Sequence, residues 1–376
     1  MYETSTTTVV GSLQSSNNPA FQDQTTVNEI IALTSPVTGG VPDTTVVIQQ
    51  TTLSEGSSAP APAAGTEITV LTVTETATSG DAVVIGPTAT KNVPVVIIQG
   101  TAKVDVTLND GATTGGPAVT ATAAGADAPV IGAQRVVVAG AGESKFTIAD
   151  AKNTKLSLGT GNSTVVTGHG VDTVVAGLGN STITGGNSDY SVVKLAGTAS
   201  NYTVAAGTSD VVVTDKITGV TTKIEKIQYV EVAGGDALVF AKTATEASIA
   251  TLFEVALGRT ADAAGLDYYY DLAKDGATLS QIANALVKSA EFGPRALLDD
   301  TAFINSLYQN TFGRNGDSGG MTYWLGAMHD HGISRADIIR SFAEIHTLNM
   351  QGTHSPGATA LEATLVGNVT IVSGII

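Results

Sequence analysis

Residues 159–186 read Gly-Thr-Gly-Asn-Ser-Thr-Val-Val-Thr (159–167), Gly-His-Gly-Val-Asp-Thr-Val-Val-Ala (168–176) and Gly-Leu-Gly-Asn-Ser-Thr-Ile-Thr-Gly (177–185), and a fourth unit opens at Gly186. Glycines stand at the first and third places of each nine-residue unit (Gly159 and Gly161, Gly168 and Gly170, Gly177 and Gly179). Small apolar residues follow on a two-residue beat. A glycine turn and a very short strand, repeated every nine residues, predict a parallel β-roll in which each unit is half a coil. No unit can bury its Val or Ile face alone, so stacking on its neighbours is what lets it fold.

Upstream, from Glu67 to about Gly140, β-branched runs such as Glu67–Thr78, Asp81–Gly86, Pro94–Gln99 and Lys103–Asn109 are separated by Gly, Pro or Asn-Asp. No helical period interrupts them, which excludes a doubly wound α/β fold and favours one continuous solenoid. Residues 1–65 are rich in Thr, Ser and Pro, and the Ala59-Pro60-Ala61-Pro62 run is a strong breaker. They predict an extended arm, able to add a strand to a neighbouring molecule or to act as a linker.

Downstream, aromatic residues mark a change of packing. Only Tyr2, Phe21 and Phe146 precede Tyr190, whereas eleven aromatics follow Ala241. Thin coils have no room for large rings; helix bundles use them as core. Residues 190–241 have longer strands and predict a β cap on the open end of the solenoid. From Thr245 the spacing of Ile249, Leu252, Phe253, Ala256 and Leu257 is helical. An internal duplication follows. Leu252-Phe253, Leu257-Gly258-Arg259, Asp262, Gly265 and Tyr268-Tyr269 return as Leu307-Tyr308, Phe312-Gly313-Arg314, Asp317, Gly320 and Tyr323-Trp324. The fold class is therefore multidomain β plus α: an N-terminal parallel β-solenoid or β-roll with a β cap, then an all-α duplicated helical domain. The expected boundaries are 1–65 arm, 66–189 solenoid, 190–241 cap, 242–350 helical domain and 351–376 apolar tail. That tail is expected to be a packing strand, an export signal, or both.

Composition narrows the function. The 376 residues include 42 Gly and no Cys, and the net charge of −16 opposes nucleic acid and anionic membrane as partners. No apolar run approaches the roughly 18 residues of a membrane helix, and the N-terminus has no basic or apolar signal region. Val136–Gly142 imitates a dinucleotide turn, but Lys145 stands where the third glycine would fall and a strand follows. The late histidines (His329, His331, His346 and His354) do not form a zinc motif. No Ser/His/carboxylate or paired-carboxylate pattern stands out, so no enzyme is expected.

The second nonapeptide, with Gly168, Gly170, Asp172 and Val174 in matching places, resembles the G-G-x-G-x-D-x-U-x unit of repeats-in-toxin (RTX) proteins. In that family Ca²⁺ sits between stacked turns. The other units depart from it: Ser163 and Ser181 replace the aspartate, and Asp189 comes one place early. Residues 158–240 resemble a degenerate RTX roll with its companion segment. Residues 249–347 resemble two copies of a helical domain of unknown function found in bacterial surface proteins. The resemblance implies secretion from a Gram-negative cell by the type I route, location outside the cell or on its surface, and folding driven by calcium. The candidate Ca²⁺ residues are Gly168, Gly170, Asp172, Gly177, Gly179 and Asp189. The alternative is a calcium-free solenoid held by Asn and Ser hydrogen-bond ladders. In the helical repeats, Arg259, Asp262, Tyr269, Arg314, Asp317 and Trp324 are candidates for binding surface glycan, or else arginines and caps that shape a tight corner. The expected function is a self-assembling structural protein of the cell surface (S-layer, filament or matrix), its partner another copy of itself. The alternative is an adhesin.

Overall fold

The computed structural model describes residues 1–16, 18–34, 37–38, 41–42, 45–76, 80–113, 133–186, 191–207, 209–350, 363–366 and 369–373. The chain divides into two compact units. One takes Met1–Ala118, Ile131–Ala196 and Ser209–Ile227; the other holds Gly197–Thr208 and Gln228–Ile376.

In the first unit the chain alternates between two sheets. The first sheet runs, in spatial order, through Tyr2–Ser5, Thr45–Ser54, Ile68–Thr74, Val95–Gly100, Arg135–Val138, Thr154–Ser157, Thr173–Val175 and Val192–Lys194. The second runs through Val83–Ile85, Val104–Leu108, Ser144–Ile148, Ser163–Val166, Ser181–Thr184, Thr221–Glu225 and Asp210–Asp215. Successive coils pair in parallel and in register: Ser144 with Ser163, Ser163 with Ser181, and Lys155 with Thr173. One coil is thus two of the nine-residue units. Inward residues stack in columns. Val106, Phe146, Val165, Ile183 and Ile224 form one such column, and all are buried. Burying each of these side chains contributes roughly 1.5–3 kcal/mol, and only the coil above and below can supply the cover. At the end of the second sheet, Thr221–Glu225 continues the parallel stack and Asp210–Asp215 turns back antiparallel.

The N-terminal segment corrects the expectation of an extended arm over 1–65. Tyr2–Ser5 pairs antiparallel with Thr45–Ser54, and two helices follow it, α1 (Thr6–Gln14) and α2 (Gln24–Thr34). Ser5 caps α1 by accepting from the Thr8 N–H at 3.2 Å. The helices lie on the outer face of the first sheet. Val9, Leu13, Phe21, Val27 and Ile30 cluster with Ile48, Ile68, Ile97, Val136 and Val138. Strands of the first sheet beneath them are therefore buried on both faces, which is why Val95–Ile98 and Val136–Val138 are unbroken apolar runs. Lys155 completes the contact. Its ammonium, in a side chain only 3% exposed, meets Asp23 at 3.2 Å and Glu29 at 3.1 Å. The solenoid also starts earlier than expected, because Thr45–Ser54 already pairs in parallel with Ile68–Thr74.

The second unit holds a small antiparallel ladder and a bundle of helices. Ala237–Ala241 lies between Tyr229–Glu231 and Val369–Ser373, and Ala363–Val366 pairs beyond. Residues 351–362 of the predicted tail lie outside the described residues; the two tail strands beyond them pair as stated. The helices longer than one turn are α3 (Ala244–Leu257), α4 (Ala263–Lys274), α5 (Leu279–Val287), α6 (Asp300–Phe312), α7 (Ser318–His329) and α8 (Arg335–Met350). Gly258 and Gly313 end α3 and α6 in the left-handed region (φ 65° and 63°), which requires glycine within each Gly-Arg corner. Phe253, Tyr269, Phe292, Phe303, Ile338 and Phe342 are among the large side chains that fill the core.

Candidate functional site

The glycines of the repeat are there for close approach. A Cβ on Gly159 would lie 1.6 Å from the carbonyl oxygen of Gly140, and one on Gly177 would lie 1.8 Å from that of Gly159. The third-place column behaves alike: Gly161 stands on Gly142 and Gly179 on Gly161, each at 2.3 Å. Gly168 and Gly170 press on the carbonyl oxygens of Asp150 and Lys152, at 2.4 and 2.6 Å. None of these glycines has a positive φ, so what requires glycine is the neighbouring turn and not the backbone angle.

Between the glycines run polar ladders. Asn162 Oδ1 accepts from the Asn180 N–H at 3.0 Å, and Asn180 Oδ1 accepts from the Thr221 N–H at 2.9 Å. Ser144, Ser163 and Ser181 turn inward in one column, buried, with the first two hydroxyls 2.9 Å apart. Side-chain amides thus satisfy the turn N–H groups that no strand partner reaches.

Asp172 is fully buried. Its Oδ1 accepts from the Thr154 N–H at 3.0 Å and its Oδ2 from the Gly168 N–H at 2.7 Å. Burial pushes its carboxyl up to about 7; the two N–H groups and Arg135 pull it down, and Asp150 adds to the rise. Arg135, also fully buried, donates to both oxygens of Asp150 at 2.9 Å and to Thr154 Oγ1 at 2.8 Å. Burial works against the Asp150 carboxylate, but hydrogen bonds from Arg135 and the Asp110 N–H outweigh it and hold its pKa below the ordinary range. The interior therefore carries its own cation. At the Asp172 position of the expected calcium site, each carboxylate oxygen accepts one N–H bond and the Arg135 cation already lies nearby. Among the described residues no group of three or more His, Asp or Glu could hold a metal. Asp189 lies outside the described residues. The Arg135–Asp150 pair was not read from the sequence. Its signal is a coil spacing that sets residues of adjacent coils face to face, as Arg135 is set against Thr154.

In the helical unit the candidate glycan residues form two corners. In the first, Asp262 caps α4 by accepting from the Gly265 N–H at 2.8 Å and also takes Arg259 Nη2 at 3.1 Å. Glu291 accepts from Arg259 Nε at 2.6 Å and Nη2 at 2.9 Å. Tyr269 is 1% exposed, its ring edge-on to Phe253. In the second corner, Asp317 caps α7 through the Gly320 N–H at 2.9 Å and takes Arg314 Nη1 at 3.5 Å. Trp324 is half-buried and stacks on Phe342 at 5.1 Å.

A family model described as Domain of unknown function (DUF4214) matches residues 239–296 and 283–346. The helical unit carries two copies of this domain. No curated protein and no solved structure matches the chain. The two DUF4214 copies share the arginine–aspartate corner but differ in how closed it is. The first copy shuts its corner with Glu291 and buries Tyr269. The second leaves Arg314 and Asp317 open, with side chains 52% and 65% exposed.

Proposed function

We propose that this chain is an extracellular structural protein that self-assembles, with the solenoid as its rigid spine. The observation that carries this reading is the coil stack: in-register columns, glycine close contacts and polar ladders make a stiff rod. Its first sheet ends on the short strand Tyr2–Ser5, and an end strand of this kind is a template for strand addition by another copy. Export by the type I route belongs to the same proposal, as does the tie to RTX-like surface proteins. Calcium has no assigned place at Asp172 in this reading; the buried hydrogen bonds take its role there.

Electron microscopy of the purified chain tests the reading. Ordered sheets or filaments are expected, and Glu3→Pro in the end strand should reduce them by removing an N–H on its open side. A chain that remains monomeric across concentration, salt and calcium would contradict self-assembly. A glycan-binding role would fall to the second DUF4214 copy alone, because the first copy's corner is closed.

A further inference from the structure

The two DUF4214 copies serve as each other's control. In the first copy the arginine is fully engaged: Glu291 takes Nε and Nη2, Thr260 O takes Nη1 at 2.8 Å, and the guanidinium lies 5.4 Å from the Phe253 ring centroid. Glu291 belongs to the turn Ser289–Phe292 that follows α5. Phe292 is fully buried, and its N–H donates to Ser289 Oγ at 3.2 Å. That turn brings a carboxylate and an adjacent apolar side chain together onto the bundle.

The second copy has no such turn. Counted thirteen residues on from the N-caps Thr278 and Ser334, the first copy has Glu291 and the second has Thr347. Thr347 lies inside α8, which runs straight through this point, and its hydroxyl turns into the core against Ala343 O and Ser248. Arg314 keeps the ring contact, 5.5 Å from the Tyr308 centroid, and its Nη1 reaches Asn315 O at 3.1 Å. Among the described residues, no carboxylate takes the place at Arg314 that Glu291 takes at Arg259. The apolar residues beside it are uncovered in parallel. Leu266 and Tyr269 of the first copy are 3% and 1% exposed, whereas their counterparts Met321 and Trp324 are only half-buried and Tyr323 is 66% exposed.

We propose that the Arg314 corner is a docking site for a glutamate-bearing turn of a partner protein. The partner's carboxylate would bind Arg314 as Glu291 binds Arg259, and the partner segment around it would cover the exposed Tyr323 and the half-buried Met321 and Trp324. The docking turn is not this chain's own Ser289–Phe292, because its Glu291 is already engaged by Arg259. Arginine suits the task because its planar fork takes a carboxylate at two points. The binding does not depend on self-assembly and would survive the failure of that reading.

The probe is a synthetic peptide with the sequence of residues 286–295, Leu-Val-Lys-Ser-Ala-Glu-Phe-Gly-Pro-Arg. It is titrated into the full chain at physiological ionic strength. Trp324 is the only tryptophan, so its fluorescence reports the corner directly. A saturable change is expected, weakened about ten-fold or more when the peptide glutamate is replaced by glutamine. The same loss is expected in Arg314→Met, whose circular dichroism melt should match that of the wild type because the side chain is half exposed. No saturable change at millimolar peptide would overturn the proposal. So would equal binding by the glutamine peptide or by Arg314→Met. Arg314-dependent binding of an oligouronate without binding of the peptide would overturn it in favour of an acidic glycan.

Discussion

Asp172 shows how far one residue's neighbours decide its chemistry. Sequence alone offers a carboxylate in a calcium-like motif; the stacked coil surrounds it with two N–H donors and buries it. The consequence is a pH dependence of stability. The folded carboxyl titrates at about 7, above the ordinary 3.8. Between those values the folded chain keeps a proton that the unfolded chain has released, so this group's contribution to stability falls as pH rises through the window. Three pH units correspond to a few kcal/mol at most. The half-buried Asp23 and the buried Asp150 are shifted downward and act in the opposite sense, while the buried Glu254 is shifted upward, so the comparison must be with a variant. Threonine, which Thr154 supplies at the same place one coil earlier, is the natural replacement. Urea unfolding at pH 5 and pH 8 should show wild type losing more stability than Asp172→Thr over that interval. Equal losses would remove the proton from Asp172.

Among the elements, the turns carry the stack and the helices cover it. A Gly159→Ala methyl cannot fit 1.6 Å from the Gly140 carbonyl oxygen without separating two coils. The expected cost is about 2 kcal/mol or more, read as a lower urea midpoint. Gly11 is the control: it sits in α1 with open space around its Cα, and alanine there should stabilise by about 0.5–1 kcal/mol. The nine-residue period was legible because it repeats in register, and so were the Gly-Arg corners, which occur twice. The N-terminal helices were hidden. α1 and α2 are written largely in Thr, Val, Ser and Asn, residues with weak helix propensity. Their helical state rests on burying Val9, Leu13, Val27 and Ile30 on the first sheet, a tertiary contact that local sequence does not show. In the helical domain the motif was legible but its closure was not. Glu291 lies 32 residues beyond Arg259, and nothing in the corner motif announces that, among the described residues, only the first copy has such a partner.

At the scale of the whole molecule, a solenoid unit and a helical unit fold around separate cores, one thin and aliphatic, the other rich in aromatic rings. The β-roll and the duplicated bundle were expected from the repeat period and from the shift in aromatic content. The Asn and Ser ladders were the stated alternative to calcium; the buried Arg135–Asp150 pair was not anticipated. We propose that the coils around Asp172 are held by these hydrogen bonds without a bound metal ion. Urea unfolding of the full chain, followed by circular dichroism at the β-sheet band in millimolar calcium and in excess chelator, tests it directly. Superimposable curves are the expected result. A chain that is unfolded in chelator and regains β structure as calcium is added would contradict it.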